Sequence, residues 1–551
     1  MALISLFTIR VSAQQWDGLT LYGNSSSNYI YLIDTASTVI KTYSCTGGGN
    51  GYSQYLTPGG TLWRTVINSG NALVGGGMHG KIQKWSSANT LLWEWTHSSS
   101  SYCLHHDICP MPNGNVLVIS YDVKTPAQVV AAGGTSITVW SEKIMELKPV
   151  GTNSAIIVWQ WNVWDHLVQN TNISGANYQP SIVNNPQLLN INYQLQKDWI
   201  HMNGVDYNPI LDQIALSSHN LNEWYIIDHS TTTAEAASHA GGNAGKGGDI
   251  LYRWGNPWAY QASGSAILNV THDAHFIPEG VPGTGNLVGL NNKGVTVPSN
   301  KTTVDHITIP RVNYNYTVNL GNAYTPATYG SRHTSTGYTS NMGNSEQFPN
   351  GNQMICLATA GTIYEIDAAG NVLWTKSTSG VTPQAHRYST CFINNPAPPQ
   401  PTITLSGTDL VSTTASSYQW YFNGDLIPGA TSQTYTPSQV GIFVVRTTDA
   451  NGCVYVYSAG FNPAMPTAIQ KDDASNSITV YPNPTNGNVI IDVKGMDEST
   501  LKVTVFDNTG KIVLEKNETR IDLSQLSGGL YILNISNANG LNINKKISLI
   551  K

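Results

Sequence analysis

From residue 16 to about residue 395 one unit recurs in weakened form, and it limits what this chain can fold into more than any other feature. Each copy opens on a P-x-G or N-G-N turn, runs through an apolar strand, a small-residue turn and a second strand ending in an acidic residue, and closes on a Trp-rich strand. The clearest copy is Pro349-Asn350-Gly351-Asn352, Met354-Ile355-Cys356-Leu357, Gly361-Thr362-Ile363-Tyr364-Glu365-Ile366-Asp367 and Gly370-Asn371-Val372-Leu373-Trp374. Others run from Asn68-Ser69-Gly70-Asn71 to Leu91-Leu92-Trp93-Glu94-Trp95, and from Pro112-Asn113-Gly114-Asn115 to Val158-Trp159-Gln160-Trp161. Such a unit cannot bury its apolar face alone, and antiparallel sheets of about four strands repeating at ~40 residues or more predict a β-propeller. With copies at residues 19–43 and 201–254 and a degenerate one after His272, the count comes to about six. The expected fold is therefore all-β, with a six-bladed β-propeller over residues 15–395. Insertions such as 167–197 and 293–338 blur the period, and a two-layer β-sandwich is the competing architecture.

The histidines fall at blade entries. His106-Asp107-Ile108-Cys109-Pro110-Met111-Pro112-Asn113-Gly114 and His272-Asp273-Ala274-His275-Phe276-Ile277-Pro278-Glu279-Gly280 both read H-D-x-x-x-x-P-x-G. His201 sits at a comparable entry, ahead of Tyr207-Asn208-Pro209, and His219 ends the apolar strand through Ser217-Ser218. Equivalent positions on successive blades point at the central channel, so His106, His201, His219 and His272 are expected to converge on one pocket. His201 and Asn203 are two apart, and in an extended segment both would leave one face. The bland alternative is that H-D closes a turn in each blade, with histidines that are simply satisfied there.

Composition narrows the function classes. Only 11% of the 551 residues are charged, against roughly 25% in ordinary globular proteins, while there are 51 Gly and 15 Trp, which suits an exported β protein. A net charge of −6 offers no basic surface for a phosphate backbone, so no nucleic-acid partner is expected. No stretch approaches the ~18 apolar residues of a transmembrane span. The apolar run Ala2-Leu3-Ile4-Ser5-Leu6-Phe7-Thr8-Ile9 and the small-residue exit after it resemble a signal peptide, giving a remnant at residues 1–14 whose true start lies upstream; a buried first strand is the alternative. The six cysteines show no C-x-x-C pair and no zinc spacing, so no metal bound through sulfur is expected, and no cofactor is expected either. Export would permit some of them to pair, but Cys453, alone in its own domain, reads as a small core residue.

Beyond the repeats, Pro396-Ala397-Pro398-Pro399-Gln400-Pro401 reads as a semi-rigid linker, residues 396–402. Short alternating strands over 403–462, such as Tyr418-Gln419-Trp420-Tyr421-Phe422 and Gly441-Ile442-Phe443-Val444-Val445, resemble the immunoglobulin-like spacer modules of bacterial surface proteins. A polar linker at 463–477 follows. Residues 478–551, with Ile478-Thr479-Val480-Tyr481-Pro482-Asn483-Pro484-Thr485-Asn486-Gly487, Val505-Phe506-Asp507-Asn508-Thr509-Gly510-Lys511 and Leu526-Ser527-Gly528-Gly529-Leu530-Tyr531, resemble the small β-sandwich sorting domain of type IX secretion cargo. That resemblance implies the type IX machinery as partner and a secreted or cell-surface location reached through the periplasm.

Asp198-Trp199-Ile200-His201-Met202-Asn203, the two H-D segments and the repeats together resemble the bacterial arylsulfate sulfotransferase family over roughly residues 16–395. The family's D-W-x-H-x-N is matched by Asp198, Trp199, His201 and Asn203, its Q-H-D-A by Thr271-His272-Asp273-Ala274, and its H-H-D by His105-His106-Asp107. Where the family carries S-S-R this chain has Ser217-Ser218-His219. The resemblance implies transfer of a sulfuryl group from an aryl sulfate donor to a phenolic acceptor through a sulfohistidine. His272 is then the nucleophile, His201, Asn203 and His219 clamp sulfate oxygens, and His106 is a clamp or the acid for the leaving phenoxide. Imidazole suits the chemistry because it is neutral near pH 7 and can leave again. A non-enzymatic surface propeller that binds a glycan or a protein is the reading from another class; a quinone-dependent dehydrogenase propeller is weak, since no calcium-and-acid cluster stands out.

Overall fold

The computed structural model describes residues 14–463, 478–493, 501–507, 511–537 and 542–551. Residues 1–13 of the expected signal-peptide remnant, and 464–477 of the second linker, lie outside them. The chain is built almost wholly of strands, and six four-stranded sheets lie between Leu19 and Tyr388. Five are antiparallel with strands in chain order, joined partly by short turns and partly by long connections such as residues 229–251 and 308–330. In the sixth, Ala385–Tyr388 pairs with Leu19–Tyr22, His386 opposite Leu21, so the last repeat strand completes the first sheet and closes the ring.

Sheet faces are covered by neighbouring sheets, and the sequence shows it. Gln213–Ser218 and Glu223–Asp228 are buried at every position, so they read as continuous apolar runs with polar ends. Outer strands such as Val372–Ser377 are buried at single positions only. Three arginines inside the ring are paired with acids, Arg253 with Glu223, Arg387 with Glu365 and Arg332 with Asp305, the first two pairs fully buried.

The innermost strands are tied to one another by carboxylates. The Asp107 carboxylate accepts from the Val205 amide (3.3 Å), Asp206 from Phe276 (2.9 Å), Asp273 from Ser345 (2.8 Å) and Glu346 from Arg387 (2.7 Å). Each bond crosses from one sheet to the next, so the acidic residue of H-D latches neighbouring sheets rather than closing a turn within one.

Residues up to Asn462 form one compact unit and those from Pro463 a second. Within the first, residues 403–457 make two small sheets around Trp420, the spacer, packed on the ring. Glu279 on the ring pairs with Arg446 (2.7 Å) and accepts from the hydroxyls of Tyr457 (2.9 Å) and Tyr421. Cys391, in the Thr390–Asn394 helix, forms a disulfide with Cys453. This corrects the expectation that Cys453 is an unpaired core residue: its partner lies 62 residues away on the far side of the linker, where spacing carries no signal. The second unit has a three-stranded and a four-stranded sheet around Val503, Leu533 and Ile547. No helix among the described residues is long and apolar enough to cross a membrane.

Candidate active site

Four consecutive sheets carry a bulge in the innermost strand. Register shifts fall between Asn50 and Gln54, Leu104 and Ile108, Met202 and Gly204, and His272 and His275. A bulge bends the strand and re-aims side chains, and here the turn is taken by left-handed residues: His106 (φ 51°), His201 (φ 54°) and Asp273 (φ 58°). None is glycine, so each costs on the order of 1–3 kcal/mol that the surrounding ties must hold.

The imidazoles of His106, His201, His219 and His272 form one contiguous series. Ring centroids are 4.6 Å apart for His106 and His201, 5.0 Å for His201 and His219, and 5.5 Å for His219 and His272. Tyr52 closes the series, 5.2 Å from His106 and 6.5 Å from His272, with its buried hydroxyl unpartnered among the described residues. Residues drawn from positions 106 to 272 thus meet in one place, as their positions at the blade entries suggest.

Hydrogen-bond partners assign the tautomers. Asn292 uses its amide nitrogen on the carbonyls of Thr339 and Met342, so its Oδ1 must accept from His272 Nδ1–H at 2.7 Å. The lone pair of His272 is then on Nε2, where the Met342 amide donates to it at 3.1 Å. His201 Nδ1 faces Asp198 at 2.7 Å, and the Tyr121 hydroxyl donates to the other Asp198 oxygen at 3.1 Å. His219 Nδ1 donates to Asn220 Oδ1 at 2.7 Å. His105 and His106 share a hydrogen between Nδ1 atoms 2.9 Å apart.

Burial, reinforced by the neighbouring imidazoles, holds His106 and His272 well below the ordinary histidine value and lowers His219 as well. Those three rings therefore favour the neutral form, in which a ring nitrogen is a nucleophile or a base.

Asn203 departs from expectation. The bulge and the left-handed His201 break the period of two, so the pair does not share a face. Asn203 is fully buried, donating to the Thr271 carbonyl (2.8 Å) and accepting from the Ser217 hydroxyl (2.6 Å), next to His272 rather than beside His201. The loop Val74-Gly75-Gly76-Gly77-Met78 was not singled out from sequence, yet a Cβ on Gly77 would lie 2.2 Å from the His106 ring. Its triple glycine was the available signal; Tyr52, Tyr121 and Asn292 belong to no motif.

The two halves of H-D serve opposite sides. Asp107 and Asp273, but not the histidines before them, line a cavity of ≈ 480 Å³ with Asp206, His275, Glu346 and spacer residue Val456. Burial pushes Asp107 and Glu346 up to about 7, while the Asp273 carboxylate overcomes burial to push His275 up to about 9.

A family model described as Arylsulfotransferase (ASST) matches residues 96–381, and one described as Secretion system C-terminal sorting domain matches residues 479–551. No curated protein matches the chain. Among solved structures, a protein of unknown function from Bacteroides caccae aligns at 11% identity and TM-score 0.39, covering 68% of this chain and 99% of its own. A streptogramin B lyase aligns at 12% and 0.32, covering 65% and 83%. The β-propeller domain of Swd1 from Myceliophteria thermophila aligns at 7% and 0.29, covering 66% and 90%. At these TM-scores the likenesses carry no argument about activity.

Proposed function

Since the chain belongs to the arylsulfotransferase (ASST) family and ends in a sorting domain that sends it out of the cell or to its surface, we propose that it moves a sulfuryl group from an aryl sulfate to a phenol through a sulfohistidine at His272. The observation that carries this reading is the convergence of four imidazoles from three sheets, one of them, His272, a nucleophile of fixed tautomer. The Nε2 lone pair of His272 attacks sulfur, the S–O bond to the aryl group breaks, and the phenoxide takes a proton from His201 or His106, whichever enters the step as an imidazolium and so becomes the neutral base. Asp198 orients His201 with Nε2 free for that exchange, much as a carboxylate orients a catalytic imidazole elsewhere. A phenol oxygen then attacks the same sulfur, its proton returns to the base, and His272 leaves neutral. The Met342 amide must give up His272 Nε2 for the first step, so substrate entry displaces that hydrogen bond. His219, protonated, would hold sulfate oxygens, with the remaining Asn203 N–H behind it.

Incubation with a chromogenic aryl sulfate, with and without phenol, tests the reading. Release that requires phenol and disappears in His272→Ala is expected. No release at any pH would favour a binding propeller instead. Deleting residues 478–551 is expected to hold the protein in the periplasm, and unchanged surface display of that truncation would count against the export route.

A further inference from the structure

Well away in sequence from the channel histidines, the segment after the short helix Thr233–Ala236 folds back on the Val163–Asp165 turn. Thr232 and Glu235 cap that helix reciprocally, which fixes the Ala236 carbonyl toward His166. Gly248 then passes so close that a Cβ there would lie 2.0 Å from the Ala236 oxygen and 2.6 Å from His166 Nε2, so only glycine lets the chain continue into Asp249. His166 is fully buried and stacked parallel to Trp161, whose indole N–H donates to the Gly248 carbonyl at 2.6 Å.

Three donors meet at this point. Asp249 Oδ1 lies 3.1 Å from His166 Nδ1 and 2.7 Å from His239 Nδ1, and all three atoms fall within 4.8 Å of one another. The two imidazoles stand at 84° to each other, so they approach as two separate vertices. His166 Nε2 is 2.8 Å from the Ala236 carbonyl, which can only accept, so Nε2 carries the hydrogen. His166 Nδ1 then faces a carboxylate oxygen, and a cation between the two atoms would hold them together as a shared proton does. A backbone carbonyl that fixes the outer nitrogen is also the usual support of a metal-bound histidine.

We propose that His166, His239 and Asp249 form a site for a zinc-class divalent cation, with a fourth position open to water beside the exposed His239. Two imidazoles and a carboxylate suit zinc and its neighbours rather than calcium or magnesium, and bonds of roughly 2.0–2.2 Å need only a small swing of His239. The ion would pin the glycine-rich segment to the ring, independently of the sulfuryl-transfer reading.

The test uses the full chain, stripped with a chelator and titrated with Co²⁺, followed by Zn²⁺ competition. One equivalent giving the visible absorption of a tetrahedral N/O site, displaced by zinc, is expected. His239→Ala, on an exposed side chain, and the isosteric Asp249→Asn should each weaken binding by more than the roughly 10–100-fold lost with an outer-shell partner, with circular dichroism unchanged. A band that survives both variants but vanishes in His201→Ala would place the ion among the channel histidines and overturn the proposal. So would no binding at millimolar Co²⁺, which would leave a purely hydrogen-bonded triad.

Discussion

His272 and His219 sit 5.5 Å apart, centroid to centroid, yet need opposite protonation states if both act on sulfate. Both are lowered by burial first and by neighbouring imidazoles second, His272 further than His219. As pH falls, His219 therefore gains its charge while His272 is still neutral, and that window is where clamp and nucleophile coexist. kcat/KM is expected to rise as pH falls below the ordinary histidine value of ~6.5 and to fall again once His272 protonates. His219→Arg keeps a charged fork at every pH, so it should abolish the alkaline loss. Near neutral pH, where the parent's His219 is mostly uncharged, it should raise kcat/KM by about one to two powers of ten, the worth of a charge-assisted contact. His219→Ala should fall below the parent only in the acidic window. Superimposable profiles for the three would remove His219 from the sulfate. Gly77→Ala offers a second check at this scale: a methyl group 2.2 Å from the His106 ring should depress kcat/KM well beyond its cost in stability. An activity equal to the parent's would mean that the loop moves freely away.

The strands explain what could and could not be foreseen. N-G-N and P-x-G turns announce themselves because Gly114, Gly280 and Gly351 take φ between 80° and 85°, a demand that local sequence must meet. Hence the repeat and the H-D positions were legible. The bulges were not, since a register shift depends on the partner strand, and so Asn203 ended fully buried and Tyr52 joined the histidine series unannounced. Nor did the acids of H-D reveal that they latch one sheet to the next. Glu346 tests that latch away from the four channel histidines. Its buried carboxyl is pushed up to about 7, above an unfolded value of ~4.3, so the native state holds its proton more tightly. The stability it contributes is complete below about pH 4 and is lost as pH rises through about 7, by an amount on the order of 3 kcal/mol. Glu346→Gln keeps an acceptor for the Arg387 amide and cannot ionise. The melting temperature of the parent should therefore fall relative to Glu346→Gln as pH rises from about 5 to about 8; a constant difference would show that the carboxyl does not titrate in that range.

Across the whole molecule, the spacer is held to the ring by one covalent tie, Cys391–Cys453, and two polar anchors, Glu279 with its three partners and Arg311 with Asp425 and the carbonyls of Asn423 and Gly424. Cys45, Cys103 and Cys356 are buried and unpaired, so the disulfide was placed where two modules meet rather than inside either core. An oxidising compartment on the export route supplies the condition for it. Closing a loop of 62 residues removes unfolded-state entropy worth about 4 kcal/mol in the chain-entropy model. That stabilisation belongs to the spacer, whose core is small and centred on Trp420, more than to the ring, which closes through the pairing of residues 19–22 with 385–388. Cys453→Ser should therefore split calorimetric unfolding into an early spacer transition and a later ring transition at nearly the parent's temperature. The histidine series lies wholly in the ring, so sulfuryl transfer, where it is measured, should stay at the parent's rate between the two transitions. Were both transitions to move down together, the spacer would have to be counted as part of the ring's fold, and the linker at 396–402 would no longer mark a boundary between modules that unfold separately.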